Sequence, residues 1–209
     1  MIFRATSTIC LSLGILFASA SGLRAQNLVT NGDFELGVKG WFPFVPGDVK
    51  SNDCAIEASS DNPRGMQSLR MSCKAFSRFA ATTVIKDIEP VPGDRYRLSL
   101  WVRAGDDFEV AQGTPGFFVR VTFFSDPKTW AAADGGNFHL SMGNHTSIGN
   151  APASAEPLPK EWTKIEGVFE IPPKTAFMNI ATFFYKAEGS VFVDDVVLEK
   201  VDNSTPLSN

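Results

Sequence analysis

The chain has 209 residues and a formal net charge of −4, with 19 Lys and Arg against 23 Asp and Glu. Without a Lys/Arg cluster, that balance argues against nucleic acid and anionic membrane surfaces, because phosphate binding needs a basic footprint. The 18 phenylalanines can fill the core of one domain of this size.

Residues 1–25 read as a signal peptide. Arg4 supplies a positive start, Ile9 to Ala20 an apolar run, and Ala25 a small residue before cleavage. The run is too short to span a bilayer, which takes about 20 apolar residues. Cleavage would leave about 184 residues and, with Arg4 and Arg24 gone, a charge of −6. The sequence therefore predicts a secreted or periplasmic protein. In an oxidising compartment the two remaining cysteines, Cys54 and Cys73, are expected to form a disulfide rather than a metal site. The residues between them agree. Folded as a hairpin about Ser60 to Gly65, they set Cys54 opposite Cys73, Ile56 opposite Met71 and Ala58 opposite Leu69 on one face. Glu57 then opposes Arg70 and Ser59 opposes Ser68 on the other, pairs that cross-strand packing favours.

Strand chemistry dominates the rest of the chain. Asn27 to Glu35 is expected to open the domain, and Phe79 to Lys86 reads as a central strand. Tyr96 to Arg103 alternates with period two. Tyr96, Leu98, Leu100 and Val102 lie on one side, with Arg97, Ser99, Trp101 and Arg103 on the other. Phe117 to Phe124, Trp162 to Ile171 and Phe177 to Lys186 are further β-branched and aromatic runs, and Pro172-Pro173 forces a break between the last two. Glu188-Gly189 reads as a turn before Val191 to Val201. Residues 126–160 lose the pattern and read as a long insertion, and 202–209 read as a flexible tail. No segment has a helical period. The expectation is an all-β antiparallel sandwich of jelly-roll type over residues 27–201.

Four motifs in order carry a resemblance. They are Asn27 to Trp41 (NLVTNGDFELGVKGW), Tyr96 to Val102, Glu161 to Pro172, and Gly189 to Leu198 (GSVFVDDVVL). Together they resemble carbohydrate-binding modules of families 4, 9 and 22, which have a galactose-binding-domain-like jelly roll. The resemblance implies that the first and last strands lie close together and hold a structural Ca²⁺ through Glu35, Asp194 and backbone carbonyls. Those are the hard oxygen donors that Ca²⁺ prefers. If Tyr96, Leu98, Leu100 and Val102 face the core, Trp101 faces outward between Arg97 and Arg103. An indole flanked by guanidiniums suits a pyranose ring and its hydroxyls or carboxylate. Arg120 and Tyr185 are expected to extend that platform on neighbouring strands.

The expected function is binding of a polysaccharide or oligosaccharide on an exposed sheet face, without catalysis. His139 and His145 sit in the Gly/Asn-rich insertion without a metal-ligand pattern or nucleophile motif, and read as solvent-facing. A structural or adhesive surface domain, or a small polysaccharide-active enzyme, are the alternatives the residues leave open.

Overall fold

The computed structural model describes residues 26–45, 53–85, 88–142, 144–149 and 156–208. The expected signal peptide, residues 1–25, and the side chain of His145 lie outside the described residues. Among the described residues ten strands form in chain order: β1 (Phe42–Phe44), β2 (Cys54–Ser59), β3 (Ser68–Ile85), β4 (Arg95–Ala104), β5 (Glu109–Val110), β6 (Gly116–Asp126), β7 (Ala131–Ser141), β8 (Asn144–Gly149), β9 (Thr163–Glu170) and β10 (Phe177–Val201). Every pairing is antiparallel.

Two long strands organise the molecule. The second part of β3 and the first part of β10 pair with each other, with β1 outside β3 and with β6, β7 and β8 continuing beyond β10. The first part of β3 and the last part of β10 pair in turn, flanked by β2 on one side and by β4 and β9 on the other. The change of direction falls where β10 slips register between Tyr185 and Gly189. Lys186 and Gly189 there adopt positive φ of 54° and 82°, as bulges that bend a strand do. Glu188-Gly189 is thus a bulge inside one continuous strand, where the sequence suggested a turn.

The two halves pack face to face. Phe123 of β6 and Phe138 of β7 meet Phe169 of β9 with ring centroids 5.6 and 4.9 Å apart. Tyr96, Leu98, Leu100 and Val102 are buried in this core as their alternation predicts, together with Met178, Ile180, Val191 and Val193. The hairpin register is also as read: Cys54 pairs with Cys73, Ile56 with Met71, Glu57 with Arg70, Ala58 with Leu69 and Ser59 with Ser68. The cysteines are bonded, with Cα atoms 4.1 Å apart, and Arg70 reaches Glu57 at 2.5 Å.

Three segments differ from the sequence reading. Asn27 to Glu35 makes turns rather than a strand. The stretch read as a long insertion builds β7 and β8, and β7 buries Phe138 and Leu140 completely or nearly so. Its glycines hid the strand, whose order comes from pairing with β6. Residues 202–208 are held rather than loose. Thr205 accepts a hydrogen bond from Arg95 Nη1, and Ser208 exchanges two with the backbone of Val168.

Candidate functional site

Each half has an outer face, and the five residues expected to bind sugar divide between them. Trp101, Arg97 and Arg103 stand on β4, outside the second half. Arg120 and Tyr185 stand on β6 and β10, outside the first. β4 pairs with β9 and with the last part of β10, never with β6, so the five do not form one platform.

On the β4 face the side chains are occupied by one another. The loop between β2 and β3 folds over it and lays Arg64 on the Trp101 ring, 5.1 Å from its centroid. Asp61 of the same loop pairs with Arg103 and accepts a hydrogen bond from Trp162 Nε1 at 3.2 Å. Arg103 lies over Phe192 at 4.3 Å, and Arg97 reaches Glu199 at 3.0 Å. Trp41 is buried and donates to Asn31 O, as a structural residue does.

The other outer face is different. The cross-strand register aligns Phe42, Thr82, Ala181, Arg120 and His139 in one row, and Phe44, Ala80, Phe183 and Phe118 in the next. A third row brings Val84, Asn179, Thr122 and Asn137 together. Phe118 stacks on Phe183 at 5.2 Å, and Arg120 lies over Phe183 at 4.4 Å. Trp130 stands edge-on against Phe124 and Phe177, each 5.1 Å away. The result is a cleft of about 430 Å³, within the roughly 300–1,000 Å³ of ligand sites. Its wall residues Phe42, Phe44 and Trp130 are 61%, 49% and 51% exposed.

Polar atoms without partners lie in and beside the cleft, with Arg120 and Asn179 in its lining and Thr122 and His139 next to them in the same cross-strand rows. Arg120 Nε, Thr122 Oγ1, Asn179 Oδ1 and His139 Nδ1 are buried and have no hydrogen-bond partner among the described residues. Such groups are expensive unless something else satisfies them. His139 is buried, not solvent-facing as its Gly/Asn-rich surroundings suggested. Burial first, and then the neighbouring Arg120 charge, push its pKa down to about 4, so the ring is neutral near pH 7. Burial also lowers the pKa of Arg120.

Sequence reasoning missed Phe42, Phe44, Phe118, Phe183, Asn179 and His139 as residues of this face. One signal was available. Phe177 to Tyr185 is apolar at both parities, with Met178, Ile180 and Phe184 on one side and Phe177, Ala181, Phe183 and Tyr185 on the other. An antiparallel strand with a solvated second face reads hydrophobic on one side only, so the second apolar stripe marks a face that meets something.

At the far side of the molecule the opening segment lies along the end of β10. Asn27 bridges Val196 O and Leu198 N, and Gly32 O accepts from Val196 N at 2.8 Å. A Cβ on Gly32 would collide with the Val196 carbonyl oxygen, so only glycine allows this approach. β10 bulges here between Asp194 and Val197, with Asp195 at φ 47°. The extra residue breaks the simple alternation. Val191, Val193, Val196 and Leu198 face the core, while Asp194 sits opposite Trp101 and under the opening segment. Asp194 is 1% exposed. Its Oδ1 accepts from Asp195 N at 2.7 Å, and its Oδ2 has no partner among the described residues. Burial first, then the charges of Asp195, Glu35 and Asp33, push its pKa up to about 7 against the pull of that backbone hydrogen bond. Glu35 Oε1 meanwhile accepts from Met66 N and Gln67 N at 2.7 and 3.2 Å. Among the described residues no three His, Cys, Asp or Glu side chains gather as a metal cluster by themselves.

No family model matches the sequence, and no curated protein matches it. Solved structures do. A xylan-binding family 22 domain from Paenibacillus barcinonensis aligns over 85% of this chain and 96% of its own, at a TM-score of 0.52 and 14% identity. The chain has the fold of a carbohydrate-binding module. The xylanase 10B of Clostridium thermocellum, solved with xylohexaose, contains the same fold, at a TM-score of 0.54 and 18% identity over 89% of this chain. The tailspike protein 4 of bacteriophage CBA120 matches 84% of this chain at a TM-score of 0.59 and 18% identity. This chain spans 21% of that tailspike and 30% of that xylanase. At such identities the likeness is one of module architecture, and function has to be argued from the site.

Proposed function

We propose that this module is a non-catalytic carbohydrate-binding domain whose ligand lies in the aromatic cleft of β1, β3, β10 and β6. One observation carries the reading: the cleft joins ring faces for stacking to two lining residues, Arg120 and Asn179, whose buried polar atoms lack partners among the described residues. Sugar rings need both kinds of contact, an apolar face against an aromatic ring and hydrogen bonds to hydroxyls. The β4 face offers less, because Arg64, Asp61 and Glu199 already engage Trp101, Arg103 and Arg97.

Glycan-array binding of the domain tests this. Phe44→Ala removes a half-exposed ring and should cost about 1–3 kcal/mol of binding, with little loss of stability. Trp101→Ala should leave binding intact. A parent that binds no glycan, or binding that depends on Trp101 and not on Phe44, would reject the cleft.

The reading extends to Ca²⁺ and to export. A cation would be held by Asp194 and Glu35 with backbone carbonyls of the opening segment, the oxygen donors calcium takes. The unpartnered Asp194 Oδ2 supports that fit, since a buried carboxylate without a counter-charge is costly. When bound, the cation would neutralise that carboxylate and tie the opening segment to β10. The Cys54–Cys73 bridge fits a secreted or periplasmic location, where disulfides persist.

A further inference from the structure

The cleft has an uneven charge. Among the described residues lining it, Arg120 is the one charged side chain, and the rest are aromatic, aliphatic or neutral polar. Its guanidinium is held over Phe183 at 4.4 Å, with His139 opposite across the strand pair. The Nε is buried without a hydrogen-bond partner, and no carboxylate among the described residues pairs with it. Elsewhere the arginines Arg70, Arg95, Arg97 and Arg103, half-buried like Arg120, each have a carboxylate. Taking a cation out of water without a counter-charge costs several kcal/mol in general, and neutral glycan hydroxyls would not repay a formal charge. The imidazole beside it is neutral near pH 7 and leaves the charge uncompensated.

We infer that the cleft selects acidic glycans, with the anionic substituent of one sugar residue, a carboxylate or a sulfate ester, paired to Arg120 while a neighbouring ring stacks on the aromatic wall. The guanidinium is suited to this because its planar fork matches an oxyanion in a way an ammonium does not. Phe183 beneath it holds the guanidinium plane in place. The inference rests on the cleft being the sugar site and adds to it the class of sugar.

The test is a set of calorimetric titrations with two matched pairs of polymers. Glucuronoxylan is compared with its carboxyl-reduced form, and a sulfated galactan with its desulfated form. The proteins are the parent domain, Arg120→Met and Arg120→Lys, each checked for an unchanged melting transition. The parent should bind at least one acidic polymer on the order of 10- to 100-fold more tightly than its neutral partner, the scale of a charged hydrogen bond. Arg120→Met should erase that difference while keeping residual binding of the neutral form. Arg120→Lys should restore it in part, and added salt should weaken only the acidic complex. Preference for the uronate pair or for the sulfate pair names the substituent. Equal binding of acidic and neutral polymers, unchanged in Arg120→Met, would overturn the acidic class and leave the cleft standing. Absence of binding to all four polymers, in a parent that binds no other glycan, would remove the cleft and this inference together. Arg120 should be replaceable by Met without loss of stability in the free protein, since a half-buried charge without a carboxylate partner is removed.

Discussion

Replacing Asp194 by Asn removes one charge from the most enclosed carboxylate among the described residues, and the size of the effect can be worked from its surroundings. The carboxyl moves from an ordinary 3.8 to about 7 in the fold. Its folded pKa is therefore raised, so the stability it contributes is complete below pH 3.8 and is lost as pH rises through 7. Each pH unit is worth about 1.4 kcal/mol, which puts the cost of the ionised group near 4 kcal/mol at pH 8 as an upper limit. Asn keeps the oxygen that accepts from Asp195 N and removes the repulsion from the Asp195, Glu35 and Asp33 charges. In chelator, then, Asp194→Asn should match the parent at pH 4 and exceed it by up to about 4 kcal/mol at pH 8. For a domain of this size that is on the order of 10 °C in melting temperature. Comparing the two proteins cancels His139, whose depressed pKa makes both lose stability as pH falls from 6.5 towards 4. Ca²⁺ should stabilise the parent at pH 8 by mass action on the folded state, and the Asn variant far less. The measurement is a urea titration at each pH, with and without Ca²⁺. A variant no more stable than the parent at pH 8 in chelator would refute the reasoning, since the carboxylate would then be already compensated.

Two further outcomes are expected. Cys54→Ser, or reduction of the native protein, should cost about 2–4 kcal/mol through the freed 19-residue separation, read as a lower urea midpoint; a free thiol pair in the oxidised protein would contradict the bridge. Gly32→Ala should destabilise by about 2–3 kcal/mol because its methyl collides with Val196 O, and a change below about 0.5 kcal/mol, ordinary for surface positions, would show that the opening segment does not hold β10 so closely.

Local patterns carried most of the architecture. The period of Tyr96 to Arg103 identified its buried side, and the hairpin register followed from five complementary pairs. What escaped depends on distant chain. Whether Trp101 is open is decided by Arg64, 37 positions away on a loop with no strong pattern. The side on which Val196 and Leu198 lie is decided by a one-residue bulge after Asp194, and a bulge reverses every later assignment on a strand. The cleft needed the pairing order of β3, β10 and β6, which places rings from four separate segments side by side. Even so, the double apolar parity of Phe177 to Tyr185 had marked the face before any topology was known.

The continuity of β3 and β10 has a mechanical consequence. Because both strands run from one half into the other, neither half can be peeled away while its neighbour stays intact, and the molecule should open as one unit. A pull on the residues after Val201 would load β10 along its length, against β4 and β3 first and β6 behind them. Hydrogen bonds stressed lengthwise in this way share the force instead of parting one by one. An anchor drawn taut between a surface and a long polymer would benefit from that geometry, and the cleft lies at the end of β10 that the pull reaches last.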